Sequence, residues 1–236
     1  MRNVVLHLSY DGSDFLGWQG SIEKVLSQVL ERVLQHAVVL QAASRTDKGV
    51  HARGQVVNFF SDKDLSIAKL MGSLNGLLPP SIRVIKGEFA KENFHPTIDA
   101  KGKVYIYRIS NGRVQMPKER RDHWHIPLPL DLSEMKTSAQ KLIGTHDFSA
   151  FTNACPKPSE STLREITKIT IKPNQIIIEG RSFLYKMVRN IVGTLVAIGQ
   201  GEISPNDLEK ILANGDRKGA AMTAPAHGLT LEQVLY

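Results

Sequence analysis

Residues 37–60 read AVVLQAASRTDKGVHARGQVVNFF. Two apolar runs with β-branched residues, 37–42 and 55–60, enclose a polar segment that carries Arg45, Asp47, Lys48 and Arg53. Strand, polar loop, strand is the economical reading. Asp47 is the carboxylate to watch, because it sits in a loop between two strands with Arg45 and Lys48 beside it. An aspartate is ionised at neutral pH, so it suits a nucleophile or a charge stabiliser better than an initial general acid. The same Asp47-Lys48-Gly49 also fits ordinary turn chemistry, with Gly49 at positive φ.

Upstream, residues 3–10 alternate Val4, Leu6, Leu8 and Tyr10 with Val5, His7 and Ser9 and then meet Asp11-Gly12, which predicts a strand and a turn. From Ser21, expected as an N-cap, the pairs Val25/Leu26, Val29/Leu30 and Val33/Leu34 recur every four residues and predict an amphipathic helix. A second helix is expected over 66–78, stopped by Pro79-Pro80, followed by a loop-like 91–103. Downstream, 104–109 alternate as a strand with Tyr105, Tyr107 and Ile109 on one face. A helix is expected over 132–143 and two short strands around Pro173-Asn174. Residues 183–198 form the clearest helix, with Lys186 and Asn190 opposite its apolar face and Arg189 on the flank. A last helix runs from Ser204-Pro205 to Gly215, and 229–236 closes as a strand. This order predicts an α+β fold in two similar halves, 1–100 with the aspartate loop and 101–236 with the tyrosine strand and the arginine helix.

The chain has 236 residues, 42% of them hydrophobic, which is enough for a packed core and argues against disorder. Its one cysteine, Cys155, can form neither an intramolecular disulfide nor a cysteine-rich zinc cage. The N-terminal apolar run is too short for a signal peptide and no run approaches the length of a membrane span, so a cytoplasmic protein without a membrane is expected. His123, His125 and His51 lack further ligands at a recognisable spacing, so no metal is expected. Neither a GxxxxGK[ST] nor a GxGxxG loop occurs, nor a GxSxG elbow, which leaves no sequence case for nucleotide hydrolysis or a dinucleotide cofactor. The net charge is +7 and it is clustered: residues 101–125 hold Lys101, Lys103, Arg108, Arg113, Lys118, Arg120 and Arg121 against Glu119 and Asp122. Such a cluster fits a polyanionic partner, and also a solvated loop.

Two further residues invite a role. Arg189 beside an apolar helix face calls for an anionic partner, for which Asp47 is a candidate, although an arginine reaching from the helix edge to solvent fits as well. Tyr105 and Tyr107 on one strand face could form a stacking platform for a base, or simply belong to the core.

Taken together, Ser44-Arg45-Thr46-Asp47-Lys48-Gly49-Val50-His51-Ala52 closely resembles the signature of the TruA family of tRNA pseudouridine synthases. Tyr10-Asp11-Gly12-Ser13 with Gly17-Trp18-Gln19 resembles the family's opening, and Lys103-Val104-Tyr105-Ile106-Tyr107 its central tyrosine strand. Gly144-Thr145-His146-Asp147-Phe148-Ser149, the run from Ser182 to Asn190 and Ala224-Pro225-Ala226-His227-Gly228-Leu229 are similar to its later segments. The resemblance implies that Asp47 is the catalytic aspartate, that Arg45 helps displace the target nucleotide, that Tyr105 stacks on the uracil and that Arg189 pairs with Asp47. It implies a mixed, largely antiparallel sheet in two pseudo-symmetric halves flanked by helices, with a basic cleft. It also implies a homodimer that isomerises uridines of the tRNA anticodon stem-loop, positions 38 to 40, without cofactor or metal. Whether the carboxylate attacks C1′, adds to C6 or assists proton loss at C2′ stays open.

The chain departs from the family pattern in three places. Gly20-Ser21-Ile22-Glu23-Lys24 runs almost directly into the first helix, Phe94-His95-Pro96-Thr97 lacks the family's arginine, and Ser44 stands where many members have glycine. A tRNA-binding paralogue with little catalysis is therefore the alternative reading. If Lys118, Arg120 and Arg121 meet phosphates, replacing all three by alanine should lower the slope of log affinity against log salt by about 2 to 3. A filter-binding titration over salt concentration measures it, and an unchanged slope would place the tRNA elsewhere.

Overall fold

The computed structural model describes residues 1–154 and 161–236; Cys155 lies outside them. The chain divides into two units, residues 1–101 with 230–236, and residues 102–229. Both are α+β, with largely antiparallel strands flanked by helices, as the element order predicts.

In the first unit β1 (Arg2–Tyr10) is the inner strand, between β3 (His51–Ser61) and β4 (Ile82–Ala90), antiparallel to both. Val4 faces Phe59 and Leu6 faces Val57 across the β1–β3 ladder. A neighbour on each edge pairs the backbone of β1, and both of its faces are packed: the consecutive Val4, Val5 and Leu6, and Leu8, are all buried. Helix α1 (Glu23–Leu34) presents Leu26, Leu30 and Leu34 at four-residue spacing, all buried. Each such leucine contributes about 1.5–3 kcal/mol relative to exposure. The two-residue β2 (Gln41–Ala42) pairs with β3, and α2 (Ile67–Leu77) starts at Ser66, whose side chain accepts from Lys69 N.

One expectation fails here. Ser21 is no N-cap: the chain enters α1 through a π-helical turn, Trp18–Ile22, and Ser21 Oγ instead accepts from Leu16 N at 2.8 Å. The turn begins earlier because the buried Trp18 is tied by its N–H to Thr46 O, 3.0 Å away. Strand β4 carries no clear alternation, because the β1–β4 register shifts between His7 and Leu8; Ile85 and Phe89 are left exposed at this edge.

The second unit orders its strands β5-β9-β8-β7. These are β5 (Gly102–Asn111), with the short β6 (Trp124–Ile126) parallel beside it, β7 (Gly144–Asp147), β8 (Leu163–Lys172) and β9 (Gln175–Gly180). Helices α3 (Leu132–Gln140), α4 (Met187–Gly199) and α5 (Pro205–Asn214) complete it. The α5 cap is as its sequence predicts, with Ser204 accepting from Asp207 N at 3.2 Å. Helix α4 begins later than expected, after Lys186 in the left-handed conformation at φ 59°. The final strand β10 (Leu229–Leu235) lies parallel to β3, with Thr230 opposite His51. From Thr230 onward it belongs to the first unit, not the second, because its backbone and Tyr236 hold residues 96–101 there: Lys101 N donates to Leu235 O and Tyr236 Oη to Pro96 O.

Asn190, expected to face away from the apolar side of α4, is fully buried. Its amide nitrogen donates to Phe151 O at 2.7 Å and Asn153 Oδ1 at 2.8 Å, and its oxygen accepts from Thr223 Oγ1 at 2.7 Å and Arg217 Nη2 at 3.1 Å. All four hydrogen-bonding sites of the side chain are used, which is what makes its burial affordable. Asn190→Ala leaves these partners unsatisfied and should cost about 2–4 kcal/mol in urea denaturation, whereas Ser21→Ala should cost under about 1 kcal/mol.

Candidate active site

The Asp47 loop leaves β2 at Ala42 and enters β3 at His51. A strand at its first half would be held by a ladder; here a side chain takes that place. Gln55 is fully buried, its Nε2 donates to Ser44 O, 2.6 Å away, and its Oε1 accepts from Ser44 N and from Val56 N, both at 3.2 Å. The amide thus pairs with both backbone groups of Ser44 as a neighbouring strand would. Gln55 Nε2 also reaches Tyr10 Oη at 3.4 Å, and that hydroxyl lies 2.8 Å from Thr46 Oγ1. Tyr10 and Thr46 are both buried.

The far side of the loop rests on the segment after β1. Gly17, at φ 95°, brings its Cα so close that a Cβ there would stand 2.7 Å from Thr46 O and 2.9 Å from Asp47 C. Only glycine combines that φ with that approach. Gly12 packs in the same way on the carbonyl of Val50. Val50 N donates to Asp47 O at 3.1 Å, closing the turn with Gly49 at φ 80°. His51 is buried, with Nδ1 at 3.1 Å from Gly12 N and 3.2 Å from Asp11 Oδ1, so its ring is engaged in fixing the segment that backs the loop. Out of this fixed base Asp47 projects half-buried, between exposed Arg45 and Lys48. The turn reading is thus correct for the backbone, and the loop nonetheless presents a carboxylate between two cations.

The second unit holds Tyr105 and Arg189. Tyr105 is buried on β5, its ring edge-on to Phe183 with centroids 5.3 Å apart. Tyr107 is fully buried, donates from Oη to Pro225 O at 2.8 Å and meets Trp124 edge-on. A two-ring platform is therefore not what β5 presents, since Tyr107 has no free face. Burial raises the Tyr107 phenol far above the ordinary tyrosine range, partly opposed by the Arg189 charge. Arg189 is half-buried and doubly tied to one residue: its Nε donates to Ala224 O at 2.8 Å, while its own carbonyl accepts from Ala224 N at 3.2 Å. Helix α4 and the chain at 224 together fix its direction.

Lys118, Arg120 and Arg121 are exposed on a 3-10 turn, Pro117–Arg121. Glu119, the acid between them, turns back to β5 and accepts from Ser110 Oγ at 2.7 Å, so the turn shows its bases outward. No group of three metal-ligating side chains occurs among the described residues, and no helix there is long and apolar enough to cross a membrane. The supporting residues Gln55, Tyr10 and Thr46 escaped the sequence reading. A single amide opening the apolar run 55–60 was the available signal.

Residues 138–236 match a family model described as tRNA pseudouridine synthase. Over its whole length the chain is 47% identical to tRNA pseudouridine synthase A 2 of Protochlamydia amoebophila, covering 95% of that protein. It is 42% identical to tRNA pseudouridine synthase A of Thermoanaerobacter sp. (strain X514) and 39% to that of Thermotoga neapolitana, covering 100% of each chain on both sides. Identity at this level along the full length fixes fold and enzyme class together: the chain belongs to the TruA family of tRNA pseudouridine synthases and is an isomerase.

Proposed function

We propose that the protein converts uridine to pseudouridine in the anticodon stem-loop of tRNA, with Asp47 as the catalytic nucleophile. The observation that carries this reading is a half-buried carboxylate on a loop pinned by Gln55, Tyr10 and Thr46, in a chain similar to tRNA pseudouridine synthases from end to end. A rigid loop holds a reactive group where the target must come to it. Arg45, exposed two residues before Asp47, displaces the target nucleotide from the stack, a step that costs a few kcal/mol. Tyr105 stacks on the uracil and Arg189 supplies positive charge to the bound substrate.

The reaction balances within the substrate. The bond from uracil N1 to ribose C1′ breaks, the base turns, a bond from C5 to C1′ forms, and the proton lost from C5 is matched by one gained at N1. No oxidant, reductant or group donor is needed, which fits a reaction without cofactor or metal. The exposed bases Lys118, Arg120 and Arg121 contact tRNA phosphates, and the enzyme works as a cytoplasmic homodimer.

A single-nucleotide map of pseudouridine in unmodified tRNA tests the reading. Wild type should mark uridines in the anticodon arm, and Asp47→Ala should lose turnover by the order of 10⁴-fold or more while keeping its tRNA affinity. Binding without modification by wild type would favour the paralogue that binds tRNA with little catalysis, and Thr97, in place of the family's arginine, would be the residue to restore first.

A further inference from the structure

Lys103 lies on β5 two residues before Tyr105, so their side chains, with Tyr107 and Ile109, stand on one face of the strand. Tyr105, Tyr107 and Ile109 are buried there, and Lys103 is half-buried at the open end of the row. Its partner across the β5–β9 ladder is Gly180. A Cβ at Gly180 would stand 3.0 Å from Phe183 Cζ, so the missing side chain makes room for the ring that packs edge-on against Tyr105. Lys103, Phe183 and Tyr105 thus surround one patch of this face.

The ammonium of Lys103 has neither an ion pair nor a hydrogen bond among the described residues. The acid of the adjacent strand, Glu179, is the register partner of Val104 and so belongs to the opposite face. Burial lowers the Lys103 pKa from the ordinary lysine value. A cation partly withdrawn from water with no counter-charge beside it is costly. An exposed lysine at this position would have avoided the cost.

We propose that Lys103 is a substrate-contacting residue whose ammonium binds negative charge on the nucleotide held against Tyr105. This rests on the pseudouridine synthase reading and adds a residue to it. The charge has two possible sources with one chemistry. A backbone phosphate carries it before any bond breaks. The detached uracil carries it afterwards, since the electron pair of the broken bond stays on N1 and spreads to the two carbonyl oxygens, where a fixed cation stabilises it.

Lys103→Met keeps the stem and removes the charge, and Lys103→Arg keeps the charge. Both would be assayed with an unmodified tRNA transcript for affinity over salt concentration and for the single-turnover rate at saturating enzyme. A phosphate contact predicts weaker binding by Lys103→Met, with the salt slope reduced by about 0.7 to 0.9 and the saturated rate kept. Contact with uracil predicts unchanged affinity and a saturated rate lower by about 10- to 100-fold. In either case Lys103→Arg restores the affected quantity at least in part, and Lys103→Met melts no lower than wild type, since the ammonium holds nothing in the fold. Unchanged affinity and rate in Lys103→Met would overturn the proposal, as would a lowered melting temperature with no rescue by Lys103→Arg. Failure of the wild type to form pseudouridine would instead overturn the underlying reading and leave the affinity comparison intact.

Discussion

The pairing of the Gln55 amide with the backbone of Ser44 is the constraint on which the Asp47 loop depends. Ser44 begins a polar segment that carries three charges within four residues and has no intrinsic reason to hold one shape. Where a strand would continue the β2–β3 ladder, the chain substitutes a side chain that offers the same donor and acceptor. From that point the order propagates outward. The Gln55 amide touches Tyr10 Oη, Tyr10 touches Thr46, and Thr46 O accepts from Trp18, so the loop is bound at successive residues to both β1 and the segment that follows it. Gly12 and Gly17 then let that segment close on the loop backbone without a side chain in the way.

The second unit solves a similar problem by a different device. A helix buried almost throughout, α4, gives Arg189 its position along the chain, and the extended segment after Met222 gives it direction. That segment is itself fastened: Thr223 bonds to Asn190, Arg217 bonds to Asn190 and to the carbonyls of Ala220 and Ala221, and Pro225 O accepts from Tyr107. Gly193 packs directly on the Met222 carbonyl, which brings helix and segment close. Polar groups that look like surface decoration in the sequence are here the fasteners of the arginine's surroundings, and Asn190 can be fully buried among them because all four of its hydrogen-bonding sites are used.

What was legible in the sequence was what periodicity and punctuation carry. The four-residue spacing of α1, the Pro79-Pro80 stop and the Ser204 cap each express a local rule that the structure follows, whereas of the apolar run 37–42 only Gln41–Ala42 is strand, and β3 begins at His51, four residues before the run 55–60. The misses share a different cause. Asn190 reads as solvent-facing because its burial depends on Phe151, Asn153, Arg217 and Thr223, none of them its sequence neighbours. Ser21 reads as a cap because the tether of Trp18 to Thr46, which moves the helix entry, spans 28 residues. Strand β4 hides behind a bulge, and β6 and β7 are too short for a period to show. For the candidate site, motifs brought out Asp47, Arg45, Tyr105 and Arg189, and Tyr10, Thr46 and Lys103 stand in the same motifs, but what these three do, and the part of Gln55, emerges only from distances, burial and register.

Amide hydrogen exchange tests whether the Asp47 loop is a fixed part of the fold. The amides of Ser44, Trp18 and Val50 donate to Gln55 Oε1, Thr46 O and Asp47 O. In a fixed loop they exchange as slowly as those of Val5 and Leu6 in β1, through opening of the whole unit, and Gln55→Leu releases Ser44 first. Exchange of the wild-type loop amides far ahead of β1, at the rate of an open surface loop, would contradict it.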